Sequence, residues 1–391
     1  MRLSLRSVPI FLAFFVMGFV DSVGALVGYA REQFHLSGTM AGLLPFFGFA
    51  AFALVSVPAG VLADRLGKRR VLLLGLALVL VGELLPVFGA ARYAVLLAAI
   101  FLIGIGMTVL QVAGNPIMRD VSEPGRYARN LTFAQFIKSL GSNAAPYLLP
   151  LVTAMRWGWR GMFPVFAAIA AVDLLLVAGL KVPAGAQGVR AGEAGRVASL
   201  ASSFALLKDP YVARVVLGIF LYVGAEVGLN SWIATHLSRS FGMDLPTATQ
   251  CLGLFLGGLA LGRLGGSAVL HFLSAQRFFR ICALAGTLAV AGLLAPVRPV
   301  VLVSIFVAGL AFANIWPLVF ALAIEERPGR ASELSGLMCM AIFGGALLPL
   351  LMGRLADVAS VRTAFVVPLA CFAYLTYLAL SSRAPQGAVR A

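Results

Sequence analysis

"LLPFFGFAAFALVSVPAGVLADRLGKRR", residues 43–70, is almost wholly apolar as far as Ala63 and then turns abruptly to Asp64, Arg65, Gly67, Lys68, Arg69 and Arg70. As a helix, the apolar part is long enough to cross the ~30 Å hydrocarbon core of a bilayer, at 1.5 Å per residue. A basic cluster directly after such a run marks the cytoplasmic side. The rest of the chain repeats this grammar. With 61% hydrophobic and 12% charged residues and a mean hydropathy of +0.98 over 391 residues, the apolar side chains exceed what one soluble core would use.

Apolar runs long enough to span number about twelve. They lie near 8–30, 38–62, 71–90, 94–118, 131–154, 160–181, 211–234, 248–272, 278–296, 299–324, 332–356 and 362–382. They are rich in leucine and alanine and lack the alternation of barrel strands, so an all-α membrane protein of twelve transmembrane helices is expected, with no soluble domain left over. The formal charge of +15 follows topology. Arg65, Lys68, Arg69 and Arg70 follow the second span, Arg119, Arg126 and Arg129 the fourth, and Lys181, Arg190, Arg196 and Lys208 lie in the central link. With the termini, that side holds roughly twenty Lys and Arg against about eight opposite, which predicts both termini in the cytoplasm and argues against a nucleic-acid partner. The basic start "MRLSLR" and the long run after it, which carries Asp21, read as a retained first helix rather than a cleaved leader.

Four cysteines, at 251, 282, 339 and 371, fall singly in different spans, and no pair of Cys or His has metal-ligand spacing. "GIGMTV" at 104–109 follows no strand and lacks a third glycine, so no nucleotide cofactor is implied, and no cofactor of any kind is expected. Glycines four apart at 253/257, 258/262 and 262/266 read as helix-packing positions. The longest polar interval, "VPAGAQGVRAGEAGRVASLASSFALLKD", divides the chain into a six-helix bundle at 1–181, a cytoplasmic linker at 182–209 and a second six-helix bundle at 210–391. The halves echo each other. Gly18, Asp21 and Gly24 in the first span correspond to Gly224, Glu226 and Gly228 in the seventh, and Asn115-Pro116 in the fourth to Asn314 and Pro317 in the tenth. Weak repeats of this kind are how many secondary carriers are built, with the site near the bilayer midplane.

"GVLADRLGKRR", 60–70, resembles the signature that the major facilitator superfamily carries between its second and third helices. The resemblance implies the major facilitator fold, two pseudo-symmetric bundles, and a cytoplasmic latch formed by Gly60, Asp64, Arg65, Gly67 and Arg69. Longer blocks are similar, in order, to the fucose and glucose/galactose proton symporters: residues 43–70, "GIGMTVLQVAGNPIM" (104–118), "NLTFAQFIKSLGSNAAP" (130–146), "YVGAEVGLNSW" (222–232), "GLALGRLGGSAVL" (258–270) and "SGLMCMAIFGGALLPLLMGRLAD" (335–357). That family imports neutral sugars with a proton across the bacterial inner membrane, as a monomer. Fucose carriers have a glutamate where this chain has Gln111 and a glutamine where it has Glu226, whereas glucose/galactose-type members have the arrangement seen here. The helix-one aspartate of the fucose carriers falls near Gly24, with Asp21 about one turn earlier.

Asp21, Lys138 and Glu226 are the ionisable groups expected deepest in the spans, where an uncompensated charge costs at least ~2.5–3.5 kcal/mol. Glu226, then Asp21, are the candidates for proton coupling. Gln111 with Asn115 on the fourth helix, Gln135 with Lys138 on the fifth, Asn230 one turn after Glu226, and Asn314 are the candidate sugar ligands, because amides both donate and accept, as hydroxyls do. Trp232 and Trp316 could stack on a sugar ring but read rather as packing or interface residues, Asp173 reads as a packing or lipid-side residue outside the site, and Arg263 is given a structural role, pairing across the bundle or belonging to a degenerate second latch. Lys138 has two readings, a counter-ion for Asp21 or a ligand for an anion. Import of a monosaccharide or polyol by proton symport is therefore expected, with a lipid bilayer as surroundings. Transport of an acidic sugar or small organic anion, proton-coupled export and a membrane sensor are the alternatives. A membrane enzyme would need a catalytic cluster, and the sequence offers none.

Overall fold

The computed structural model describes residues 8–19, 26, 29–30, 33–36, 38–89, 92–142, 148, 152, 158–179 and 199–381. In chain order the first helices are α1 (Val8–Met17), α2 (Gly38–Leu66), α3 (Lys68–Phe88), α4 (Tyr93–Asp120), α5 (Tyr127–Ser142), α6 (Met162–Gly179) and the short α7 (Leu200–Ala205). The remainder are α8 (Pro210–Phe241), α9 (Leu245–Val269), α10 (Ala275–Gly292), α11 (Arg298–Phe312), α12 (Ile315–Glu326), α13 (Ala331–Met340), α14 (Gly344–Val358), α15 (Val361–Ala364) and α16 (Val366–Ser381).

Among the described residues, nine helices or helix pairs are long and apolar enough to cross a membrane, and they coincide with nine of the twelve expected spans. Expected spans at 8–30 and 131–154 extend outside the described residues. The ninth, expected at 278–296, is α10, which starts earlier because Ser274 caps it by accepting from the Arg277 backbone N–H. Two spans expected as continuous are broken. Pro317 has no N–H to offer the carbonyl of Ala313, and the helix is interrupted at Ala313 and Asn314 between α11 and α12. Between α13 and α14, Ala341–Phe343 is a 3-10 turn just ahead of Gly344 and Gly345, poor helix formers both.

The residues group into two compact units, Met1–Pro124 with Ala134–Ala205 and Gly329–Met340, and Gly125–Phe133 with Leu206–Pro328 and Ala341–Ala391. In the first, α4 is the central helix, packed by α2, α3, α1 and α13. Every α4 residue from Gly106 to Met118 is buried, which encloses Gln111 and Asn115 in protein rather than lipid. In the second, α8 packs on α9, α14 and α16, and α9 on α11. Its enclosed helix is α12, buried throughout from Ile315 to Ile324. The two Asn/Pro helices that echo each other in sequence are thus both enclosed within their units. Of the small-residue stripe on α9, Gly258, Gly262 and Gly266 pack against α11 and Asn314, whereas Gly253 and Gly257 face open space.

Candidate functional site

In the first unit α4 and α5 bring amides and an ammonium together. Gln111, Asn115 and Gln135 are buried, and the Lys138 Nζ donates to Gln111 Oε1 at 3.4 Å. The Gln135 Nε2 on α5 is buried with no hydrogen-bond partner. Such groups are costly to desolvate unless something else satisfies them. From α13, Ser335 donates to the Val112 carbonyl at 2.7 Å, which ties that helix to the turn carrying Gln111. Asp21, expected beside Lys138, lies outside the described residues.

In the second unit Glu226 on α8 and Arg263 on α9 form an ion pair at 3.2 Å, with both side chains about one-fifth exposed. The buried Tyr222 hydroxyl, one turn before Glu226, lies beside both charges without a hydrogen bond of standard geometry. Asn230 is exposed on the same face of α8, one turn after Glu226. Asn314 is engaged differently from a ligand that faces a cavity. Its Nδ2 donates to the Gly262 carbonyl at 2.9 Å, so it holds the turn of α9 that presents Arg263, and its Oδ1 has no partner. Trp316 is buried against Phe320, and Trp232 lies along Gly353.

The loop between α2 and α3 shows why its residue types are needed. Gly67 has φ 88°, a conformation that side chains resist, and the chain turns there from α2 into α3. A Cβ on Gly60 would stand 2.6 Å from the Ser332 carbonyl oxygen, so α2 and α13 meet backbone to backbone. Lys68 pairs with Asp120 at the end of α4, at 2.5 Å, and Arg69 donates to the Val177 and Ala178 carbonyls at the end of α6. Asp64 lies within electrostatic reach of Glu333 and Arg330 as well as Arg65 and Lys68. Glu333 is itself paired with Arg330 and accepts from Ser202 Oγ of α7 at 2.6 Å, while Arg330 also donates to the Ser202 carbonyl at 3.0 Å.

Three acids emerge that the sequence reading did not place in any site. Glu333 sits at the start of an apolar run and reads there as an ordinary helix N-terminal acid. Glu83 on α3 and Asp173 on α6 are buried inside spans. Of the two positions expected for Asp173, packing or lipid-side, burial selects packing: it is fully buried, on the stripe of α6 that carries Phe166, Ala170 and Val177. Their sequence signal was the same as that of Glu226, a lone acid interrupting a long apolar run.

The model of the Major Facilitator Superfamily matches residues 10–341. A glucose/galactose transporter of Brucella abortus biovar 1 is 30% identical over 398 residues, covering 94% of this chain and 92% of that protein. The L-fucose-proton symporter of Escherichia coli K12 is 24% identical over 389 residues, covering 88% and 85%. The crystal structure of FucP, a major facilitator transporter in the outward conformation, superposes with a TM-score of 0.85 at 21% identity, over 97% of this chain and 99% of that one, so the two share a fold. On the reach of the family match, and on an identity that runs through nearly the whole of both chains, the protein belongs to the Major Facilitator Superfamily, among the fucose and glucose/galactose transporters.

Proposed function

We propose that this protein imports a monosaccharide or related polyol together with a proton by alternating access. Twelve transmembrane helices would form two six-helix bundles, 1–181 and 210–391, joined by the cytoplasmic linker 182–209. The carrier would act as a monomer in a bacterial inner membrane, with both termini in the cytoplasm. The relatives named above are described as carriers of glucose and galactose or of L-fucose with a proton, which supports the sugar class.

The observation that carries the reading is the Glu226–Arg263 pair. While Glu226 is ionised, the pair satisfies itself. Protonation removes the carboxylate charge, turns the side chain into a donor and releases guanidinium N–H groups that a sugar hydroxyl can accept. Proton and sugar then favour each other's binding, which is the requirement for symport. Gln111, Asn115, Gln135 and Lys138 are further candidate ligands for sugar hydroxyls, as is Asn230 on α8. Asn314 acts by holding Arg263 in place. Asp21 would be a second coupling candidate, with Lys138 as its counter-ion. Gly60, Asp64, Arg65, Gly67 and Arg69 would form the cytoplasmic latch.

One alternative has an observation in its favour. An ammonium one turn along α5 from the buried, unpartnered Gln135 amide donor suits an acidic sugar, held by Lys138. A thermal-shift screen of the purified protein against neutral sugars, uronic acids and non-sugar anions separates the two, because a specific ligand stabilises by mass action. Stabilisation by uronic acids alone selects the alternative. Stabilisation only by non-sugar compounds overturns both.

A further inference from the structure

Asp173 is the sole charged residue of α6. It is buried from its surroundings: its relative exposure is 0%, and neither carboxyl oxygen has a hydrogen-bond partner. It belongs to the stripe through Phe166, Ala170 and Val177 on a helix that packs against α3 and α1. A carboxylate in that position would be an unpaired charge within packed protein, which costs several kcal/mol, whereas the neutral acid costs far less. Leucine or alanine would fill the place without either cost.

The charged groups on the neighbouring elements are few. The α1 helix, Val8–Met17, has none. On α3, Lys68 is paired with Asp120, Arg70 is exposed, and Glu83 lies about four turns beyond Arg69. Arg160 lies in the 3-10 turn Gly158–Gly161 that precedes α6, at the end away from Asp173, over the rings of Phe34 and Trp159. Arg69 remains. Its guanidinium rests on the Val177 and Ala178 carbonyls, 3.3 and 2.5 Å away and one turn along α6 from Asp173.

We propose that Asp173 is an additional proton-binding residue of the transport cycle, neutral while Arg69 occupies the last carbonyls of α6 and ionised when Arg69 leaves them to become its counter-ion. In the second step the carboxyl O–H bond breaks, the proton passes to water, and the guanidinium takes the carboxylate as its partner. The loop that turns at Gly67 then senses protonation inside the bundle. This assignment rests on the proton-symport reading.

Infrared spectra of the purified protein in lipid, without substrate, test the proton directly. Wild-type protein at neutral pH should show a neutral-carboxyl C=O band that is missing in Asp173→Asn and kept, shifted, in Asp173→Glu. Transport in proteoliposomes tests the role. Asp173→Asn and Asp173→Leu should retain exchange of labelled for unlabelled sugar but lose about tenfold accumulation per unit of pH gradient, the share of one coupled proton. A band unchanged in Asp173→Asn, or full accumulation by both variants, overturns the assignment. Loss of exchange in both variants also overturns it, since Asp173 would then be structural. If the wild-type protein itself shows no pH-driven accumulation, the symport reading fails, an outcome separate from the presence or absence of the band.

Discussion

Replacing Glu226 by Gln should separate transport from energy coupling. At about 4 Å between charge centres and an effective dielectric of 20, the Glu226–Arg263 attraction is about 4 kcal/mol gross. Desolvation and the one-fifth exposure of each side chain offset much of that, leaving a net of roughly 1–3 kcal/mol, the range of hydrogen bonds to charged groups. Glutamine keeps an acceptor for Arg263 and presents a donor, so it stands for the protonated acid. The variant should therefore be less stable than wild type by about that amount. Adding Arg263→Gln should recover part of the loss, a coupling of roughly 0.5–3 kcal/mol in the double-mutant cycle. In proteoliposomes Glu226→Gln should still exchange labelled for unlabelled sugar. Under an inward pH gradient it should lose about tenfold accumulation per pH unit, since one unit is worth 1.36 kcal/mol for one proton. If accumulation persists at the wild-type level, the coupling carboxylate lies elsewhere, and Asp21 is the first place to look. If exchange also disappears, Glu226 serves sugar recognition or packing. Additive losses in the cycle would show that the pair is not energetically coupled.

Lys138→Gln should abolish stabilisation by a uronic acid while sparing its neutral analogue if the lysine binds an anion; if it compensates Asp21, the double variant with Asp21→Asn should regain stability lost in Lys138→Gln, as thermal melts would show. Gly67→Ala forces a side chain into φ 88° and should cost about 1–3 kcal/mol in melting experiments, while Gly60→Leu should drive α2 from α13 and raise labelling of a cysteine placed at Ser332; unchanged labelling would mean that the backbone approach is not required. At the start of α8, burial opposes ionisation of Asp209, but the Tyr211 backbone N–H and the Arg327 guanidinium hold its carboxyl below the usual range. This lowered group contributes stability above its unfolded value of about 3.9, lost as pH falls through the folded one, so Asp209→Ala should cost about 1 kcal/mol at pH 7 and converge with wild type in acid.

Spans were legible because hydrocarbon imposes one length and one composition on them, and nine of the expected positions are helices of the required kind. The interruptions at Asn314 and at Ala341–Phe343 were less legible, since a hydropathy average runs over a broken helix as smoothly as over an intact one. Among polar residues, the sequence reading found those whose sidedness follows from spacing on one helix, such as Gln111 with Asn115, or Gln135 with Lys138. What it could not find is which second helix each face meets. Sequence leaves Arg263 a structural role, a pair across the bundle or a second latch, with no partner named, and only the packing of α8 on α9 supplies Glu226. Asp173 shows the same limit from the other side. Lipid and protein interior are equally apolar, so composition alone cannot say whether a lone acid on a span faces tails or neighbouring helices. The difference is decisive for chemistry: at a lipid face a short acid has no partner to exchange, whereas on the buried stripe of α6, one turn from the carbonyls that hold Arg69, loss of its proton can be matched by movement of a charged side chain on a neighbouring helix.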